Sequence, residues 1–234
     1  ICLKKGIPVG LEALIRWRHP VFGELSPAAF IPLAEQTDLL SALTDWVSDQ
    51  AIARLVRFRH SPVQLPVSFN VSGQDLSRPD FASALEDKMI RAGIPAELLG
   101  IECLETEQII ENAAAIKTLE ALKYKGFSIS LDDFGAGHSN INYLRRIPLD
   151  VIKLDRSLIT GLSSDTASRI IARSIISMLK ELNYEVLAEG VENEETVAAL
   201  TQYGCDQAQG FFYSRPLADP ELEEWLTWRL RERY

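Results

Sequence analysis

Seven short apolar runs punctuate this chain, and each closes on a polar or charged residue or on a glycine directly after one: Gly10–Arg16, Val67–Ser72, Gly100–Glu105, Ser128–Asp133, Val151–Asp155, Glu185–Gly190 and Cys205–Gly210. Within the runs, polarity alternates from one position to the next, the period-two signature of a β-strand. One parity collects Glu12, Leu14 and Arg16; Ser68, Asn70 and Ser72; Gly100, Glu102 and Leu104; Ser128, Ser130 and Asp132; Val151, Lys153 and Asp155; Leu187 and Glu189; Gln207 and Gln209. The other parity is almost wholly apolar, from Leu11, Ala13 and Ile15 through Phe69, Val71, Ile101, Cys103, Ile129, Leu131, Ile152 and Leu154 to Val186 and Ala188. The apolar set suits a layer between strands and covering helices, and the polar set then points into a common mouth.

Between the runs the apolar spacing becomes helical. Ser26 and Pro27 open a helix that runs to Ala34, with serine as cap and proline in the first turn. Leu39, Leu43, Trp46, Val47, Ile52, Leu55 and Val56 mark a helix over 38–59. Further helices are predicted from Pro79 to Ala92, closed by Gly93, and from Glu107 to Lys125, closed by Gly126. A short one from Ser139 to Leu144 ends near Pro148, and longer ones span Thr166–Leu182, Glu194–Tyr203 and Pro220–Leu230. Strand and helix in alternation predict right-handed βαβ units and a parallel sheet. Seven visible strands predict an α/β barrel whose first strand is truncated, lost upstream of Ile1. An open doubly wound sheet competes, but no glycine-rich phosphate turn follows the first strand. An antiparallel sheet with one solvated face fits poorly, because short turns between strands are not evident. Without repeats or linkers, residues 1–234 are expected to form one domain. The start at Ile1 rather than methionine points to a fragment of a longer chain.

At 234 residues the chain can bury a substantial core, and its net charge of −9 gives no general attraction for a nucleic-acid polymer. No run of apolar residues reaches membrane-spanning length, and no signal peptide opens the chain. The three cysteines, Cys2, Cys103 and Cys205, lack metal-ligand spacing, and two of them fall inside apolar strands. A reducing, cytoplasmic setting is expected.

The convergent polar set carries the chemistry. Glu12, Asn70, Glu102, Asp132, Asp133 and Glu189 offer oxygen only, which favours Mg²⁺ or Mn²⁺ over Zn²⁺. Carboxylates gathered at strand ends repel one another unless a cation sits between them. Adjacent Asp132 and Asp133 cannot both face inward from a regular strand, so the strand is expected to end at Asp132 and the turn toward Gly135 to bring Asp133 round. Two cations about 4 Å apart activate a water and stabilise a leaving oxygen in phosphoester hydrolysis. Lys153 is placed to hold that water or neutralise the phosphate, and Arg16 to clamp a phosphate oxygen. His19 and His60 read as loop or helix-end residues, and His138 lines the mouth without serving as a ligand. Trp17, Trp46, Trp225 and Trp228 read as packing groups.

Glu12-Ala-Leu-Ile-Arg16-Trp-Arg-His-Pro20 resembles the signature of the EAL family, the cyclic di-GMP phosphodiesterases. The match continues in order through Phe30–Glu35, Phe69–Ser72, Asp132–Gly135, Asp150–Asp155, Ala188–Glu192 and Gln209-Gly210. The resemblance implies a modified TIM-type (β/α)8 barrel with one antiparallel strand. It implies hydrolysis of cyclic di-GMP to linear pGpG with Mg²⁺ or Mn²⁺ in a two-metal site, Ca²⁺ being inhibitory. By motif position, Glu12, Asn70, Glu102 and Asp132 correspond to ligands of the first metal; Asp133 and Glu189 correspond to second-site groups, with Asp132 shared. Lys153 resembles the family's catalytic lysine, and Glu189 also a group for proton transfer. Arg16 and Gln209 resemble substrate or site-organising contacts. Glu105 resembles the glutamate that steadies the loop after Asp133, with Glu192 and Asp155 as supporting acids. A homodimer is also implied, while the start at Ile1 suggests upstream regulatory domains and allows a membrane anchor in the full-length protein.

The chain departs from the family pattern at Leu104, usually threonine, and in the loop after Asp133 at Ala136, His138 and Asn140. These changes bear on rate and coupling, not on the ligand set. Three functions stand side by side at this level: a metal-dependent phosphodiesterase, an inactive cyclic di-GMP receptor or interaction domain, and a different barrel enzyme that stabilises an enolate with Lys153 as base.

Overall fold

A computed structural model describes residues 1–37, 39–59, 64–106, 109, 111–137 and 141–231. The first strand, β1 (Leu11–Ala13), leads into a hairpin, β2 (Trp17–His19) and β3 (Gly23–Leu25). Six further strands follow, separated by helices: β4 (Val67–Val71), β5 (Leu99–Leu104), β6 (Ser128–Phe134), β7 (Val151–Leu154), β8 (Glu185–Ala188) and β9 (Gln207–Ala208). All but the hairpin form one sheet in chain order, and every neighbouring pair in it is parallel. Each of the seven apolar runs has therefore become a strand of that sheet.

The parity of the runs decides the packing. Phe69, Ile101, Cys103, Ile129, Leu131, Ile152, Leu154, Val186 and Ala188 are all fully buried between the sheet and its helices. Burial of each large side chain contributes roughly 1.5–3 kcal/mol, so this layer dominates the fold's stability. The buried thiols behave as small apolar groups: burial pushes Cys103 and Cys205 up to about 12.

The covering helices begin and end where local chemistry dictates. Asn112 caps Ala113–Tyr124, Asp165 caps Thr166–Glu181 and Asn193 caps Glu194–Gln202, each through a side-chain oxygen that accepts a backbone N–H. Gly93 closes Phe81–Ala92 in the left-handed conformation, φ +64°. Pro27–Ala34, Leu39–Phe58 and Asp219–Arg231 complete the long helices. Part of the helix expected from Glu107 lies outside the described residues, and within them the helix starts at Ala113. Ser139, Asn140, His60 and His138 lie outside them too; a 3₁₀ turn occupies Ile141–Arg145. No described helix is long and apolar enough to cross a membrane.

The hairpin corrects one expectation, because a short turn does join two strands. His19 pairs with Gly23, and a three-residue loop ends on Gly23 at φ +72°. The Nδ1 of His19 accepts the backbone N–H groups of Val21 and Phe22 and so braces the turn. Strands of three residues are too short for a period of two to show in the sequence.

An isolated antiparallel bridge lies at the edge of β9. Cys2 lies opposite Gln207, and residues 1–3 run along the outer edge of β9 through hydrogen bonds to Ala208 and Asp206.

Candidate active site

The carboxyl ends of the seven strands form one mouth, and Lys153 stands at its centre. Its side chain is 2% exposed. The Nζ lies 2.6 Å from Glu102 Oε2, 2.8 Å from Glu189 Oε1, 3.1 Å from Asp132 Oδ1 and 3.5 Å from Glu12 Oε2. Four strands or strand ends thus send a carboxylate to one ammonium carried by a fifth. Burial works against the charge on Lys153, but Glu102, Glu12, Glu189 and Asp132 outweigh it and hold the ammonium well above the usual lysine range.

Each acid is held by further contacts. Ser68 Oγ donates to Glu102 Oε1 at 2.5 Å. The register places Ser68 opposite Gly100, where a Cβ would come within 2.9 Å of the serine's own, so the glycine makes room for it. Asn70 Nδ2 donates to Glu12 Oε1 at 3.1 Å, and Gln209 Nε2 to Glu12 Oε2 at 2.7 Å. Burial pushes Glu102 up to about 7, with Lys153 pulling against it and Glu12 adding to it. Burial pushes Glu189 up to about 7 as well, with Lys153 opposing and Asp132 reinforcing.

Asp132 and Asp133 reach the mouth by a different route from the one expected. The strand does not end at Asp132; β6 continues to Phe134. Leu131 pairs with Ile152 and Phe134 with Leu154, so two residues of β6 stand opposite the single Lys153. This is a β-bulge, which re-aims side chains next to a site. Asp133 occupies it with φ +56°, a left-handed conformation that aspartate tolerates better than most residues. Its carboxyl is raised by burial and by the neighbouring Asp132.

The bulge is braced from β5. Glu105 N–H donates to the Asp132 carbonyl at 3.2 Å, and Glu105 Oε2 accepts the Gly135 N–H at 3.1 Å. Tyr143, buried beside Glu105, is a residue sequence reasoning overlooked; burial and the Glu105 carboxylate raise its phenol well above the ordinary range.

Oxygens of Glu12, Glu102 and Asp132 lie within 4.8 Å of one another, as do those of Asp132, Asp133 and Glu189. The two trios share Asp132. An all-oxygen set at this spacing fits a hard divalent cation, so these groups could hold a metal.

Other residues singled out in the sequence lie elsewhere. Arg16 is exposed, and its guanidinium donates to the carbonyl of Ile15 at 2.8 Å. Asp155 caps the short helix Arg156–Ile159 through the N–H of Ser157. Glu192 pairs with Arg156 at 2.9 Å and is half exposed. The stem of Arg156 lies across Gly190, where a Cβ would meet its Cγ at 2.6 Å; the arginine thereby pins the turn that follows Glu189. Two cavities flank the acids. One of about 450 Å³ runs from Glu12, Asp132 and Glu189 toward Phe211, Arg215 and Trp225. The other, about 510 Å³, runs from Asn70 and Asp133 toward Pro32 and Leu40.

A curled parallel sheet with acids ringing a buried lysine at its carboxyl edge defines a barrel-like α/β protein whose mouth gathers groups that could hold a metal. The chain belongs to the EAL domain family, whose model matches residues 1–216. The cyclic di-GMP phosphodiesterase PA2567 of Pseudomonas aeruginosa is 36% identical over 226 residues, 97% of this chain and 38% of that protein. The cyclic di-GMP phosphodiesterase NbdA of the same organism is 39% identical over 218 residues, 92% of this chain and 28% of that protein. The chain therefore spans well under half the length of these relatives. The phosphodiesterase PaMucR, solved as a complex with c-di-GMP, shares the fold with a TM-score of 0.88 at 32% identity, over 95% of this chain and 90% of that one. The EAL enzyme Bd1971, solved with cAMP and cyclic di-GMP bound, gives a TM-score of 0.91 at 30% identity, over 97% and 62% of the two chains.

Proposed function

We propose that this chain hydrolyses one phosphodiester bond of cyclic di-GMP to give linear pGpG. The observation that carries the reading is the pair of acid trios sharing Asp132 around Lys153, in a chain whose relatives are named cyclic di-GMP phosphodiesterases. Glu12, Asn70, Glu102 and Asp132 would hold one Mg²⁺ or Mn²⁺, and Asp132, Asp133 and Glu189 a second. Cations held there supply charge that activates a water and steadies the leaving oxygen.

The chain's own groups do the rest. Gln209 and Asn70 fix both oxygens of Glu12, and Ser68 fixes Glu102. Lys153 donates to the attacking water and offsets the phosphate's charge. Glu189 takes up the water's proton. The flanking cavities receive the two halves of an extended dinucleotide, with Arg16 reaching the phosphate once substrate is present. A complete (β/α)8 barrel of one domain, closed by an antiparallel strand, belongs to the same proposal; the bridge between Cys2 and Gln207 supports it. Dimerisation rests on family membership, further regulatory domains on the greater length of the relatives, and a cytoplasmic site of action on the unpaired cysteines.

A receptor that binds without turnover is the second reading. Leu104 and Ala136, which flank the bulge and depart from the family pattern, favour it. Incubation of the purified chain with cyclic di-GMP and Mg²⁺, Mn²⁺ or Ca²⁺, followed by chromatography, separates the two. Appearance of pGpG with Mg²⁺ or Mn²⁺ supports hydrolysis. Saturable binding without product supports the receptor.

A further inference from the structure

Every carboxylate oxygen of Glu12 and Glu102 already accepts a hydrogen bond or faces a cation. Glu102 Oε1 is taken by Ser68, and Oε2 by Lys153 at 2.6 Å. Glu12 Oε1 is taken by Asn70, and Oε2 by Gln209, with Lys153 3.5 Å away. Lys153 also reaches Asp132 and Glu189, so one ammonium touches all three acids of the first trio and two of the second. Its partners are thus carboxylates that a divalent cation would need.

We propose that Lys153 is the resident counter-cation of this acid cluster, and that a divalent metal must displace it to bind. The inference rests on the proposed metal site and adds its regulation. Buried carboxylates without a cation are costly, and breaking a buried pair by removing one partner is more costly still. A lysine in contact with four of them keeps the mouth assembled while no metal is bound. The same contact opposes loading, because the incoming dication meets a positive charge and occupied ligands. A substrate phosphate relieves the conflict: it gives the displaced ammonium a new anionic partner. Metal and phosphodiester therefore bind with positive coupling, and by linkage each raises the affinity of the other equally.

The test is calorimetric titration of Mn²⁺ into metal-free protein, comparing wild type, Lys153→Met and Lys153→Arg. Lys153→Met is expected to bind Mn²⁺ roughly tenfold or more tightly than wild type, because one opposing charge is gone. Lys153→Arg keeps the charge and is expected to stay within about threefold of wild type. Equal or weaker binding by Lys153→Met overturns the proposal while leaving the metal site itself standing. No Mn²⁺ binding by wild type overturns both. If Lys153→Met does not fold, the wild type alone decides: the ¹⁵Nζ resonance of Lys153, assigned by its loss in Lys153→Arg, shifts on saturation with Mg²⁺ or, if the proposal is wrong, stays unmoved.

Discussion

Gln209 donates to Glu12 across 2.7 Å, although β9 and β1 lie at opposite ends of the sheet. No flat sheet of seven strands could bring them together, since neighbouring strands are spaced about 4.8 Å apart. The contact records how far the sheet has curled, and it makes side chains, rather than a backbone ladder, the link between its edges at the mouth. Gln209→Ala should therefore free Glu12 without unfolding the protein. Loss of a hydrogen bond to a charged group costs about 1.5–3 kcal/mol. Mn²⁺ titration should show several-fold weaker binding, with a circular dichroism spectrum like that of wild type.

Glu12 connects Asn70, Gln209 and Lys153. Glu12→Ala should lower hydrolysis of cyclic di-GMP by about a hundredfold or more, as expected when a group acting on the developing charge is removed. Unchanged turnover in a chromatographic assay would rule out the proposed role of this carboxylate.

The left-handed Asp133 offers a way to separate backbone from charge. Asp133→Asn keeps a residue that tolerates φ +56° and should melt within about 1 °C of wild type while losing turnover. Asp133→Val, β-branched, should lose turnover and also roughly 1–2 kcal/mol of stability. A denaturant melt of the two variants distinguishes the effects.

Glu102 and Glu189 give the metal-free protein a defined pH response. Both carboxyls rise from 4.5 to about 7 on folding, chiefly through burial. A raised acid binds its proton more tightly in the folded state, so this contribution to stability falls as pH rises from about 4.5 to 7. The raised Lys153 has the same sign of slope, but only in the alkaline range, so it does not contribute here. Melting in EDTA across pH 5 to 8 should show this slope, and Glu102→Gln should flatten it. Addition of Mn²⁺ at pH 7.5 should raise the melting temperature of wild type.

Ser68 provides the smallest change. Ser68→Ala removes one hydrogen bond from Glu102 and leaves the Lys153 contact intact. Its turnover should drop several-fold, mainly in kcat, because the serine touches the acid and not the substrate. A steady-state assay that finds the whole effect in KM would contradict this assignment.

Much of the site was legible in the chain because its signal is local. Alternation along a strand is fixed by backbone geometry, so the sequence alone placed Glu12, Asn70, Glu102, Asp132, Lys153 and Glu189 on one face and Phe69, Ile101, Leu131 and Ile152 on the other. Caps are equally local; Gly93 announced its helix end, although Asn112 was passed over in favour of an earlier start. What needed the tertiary structure depends on contacts between distant segments. The bulge that admits Asp133 arises from the pairing of β6 with β7, and nothing in Ser128–Phe134 read by itself reveals an extra residue. The same holds for Glu192, drawn to Arg156; Asp155 is again local, a cap on the helix that follows it. That four carboxylates meet one ammonium follows from the curl of the whole sheet, which sums small twists over seven strands and is written at no single position.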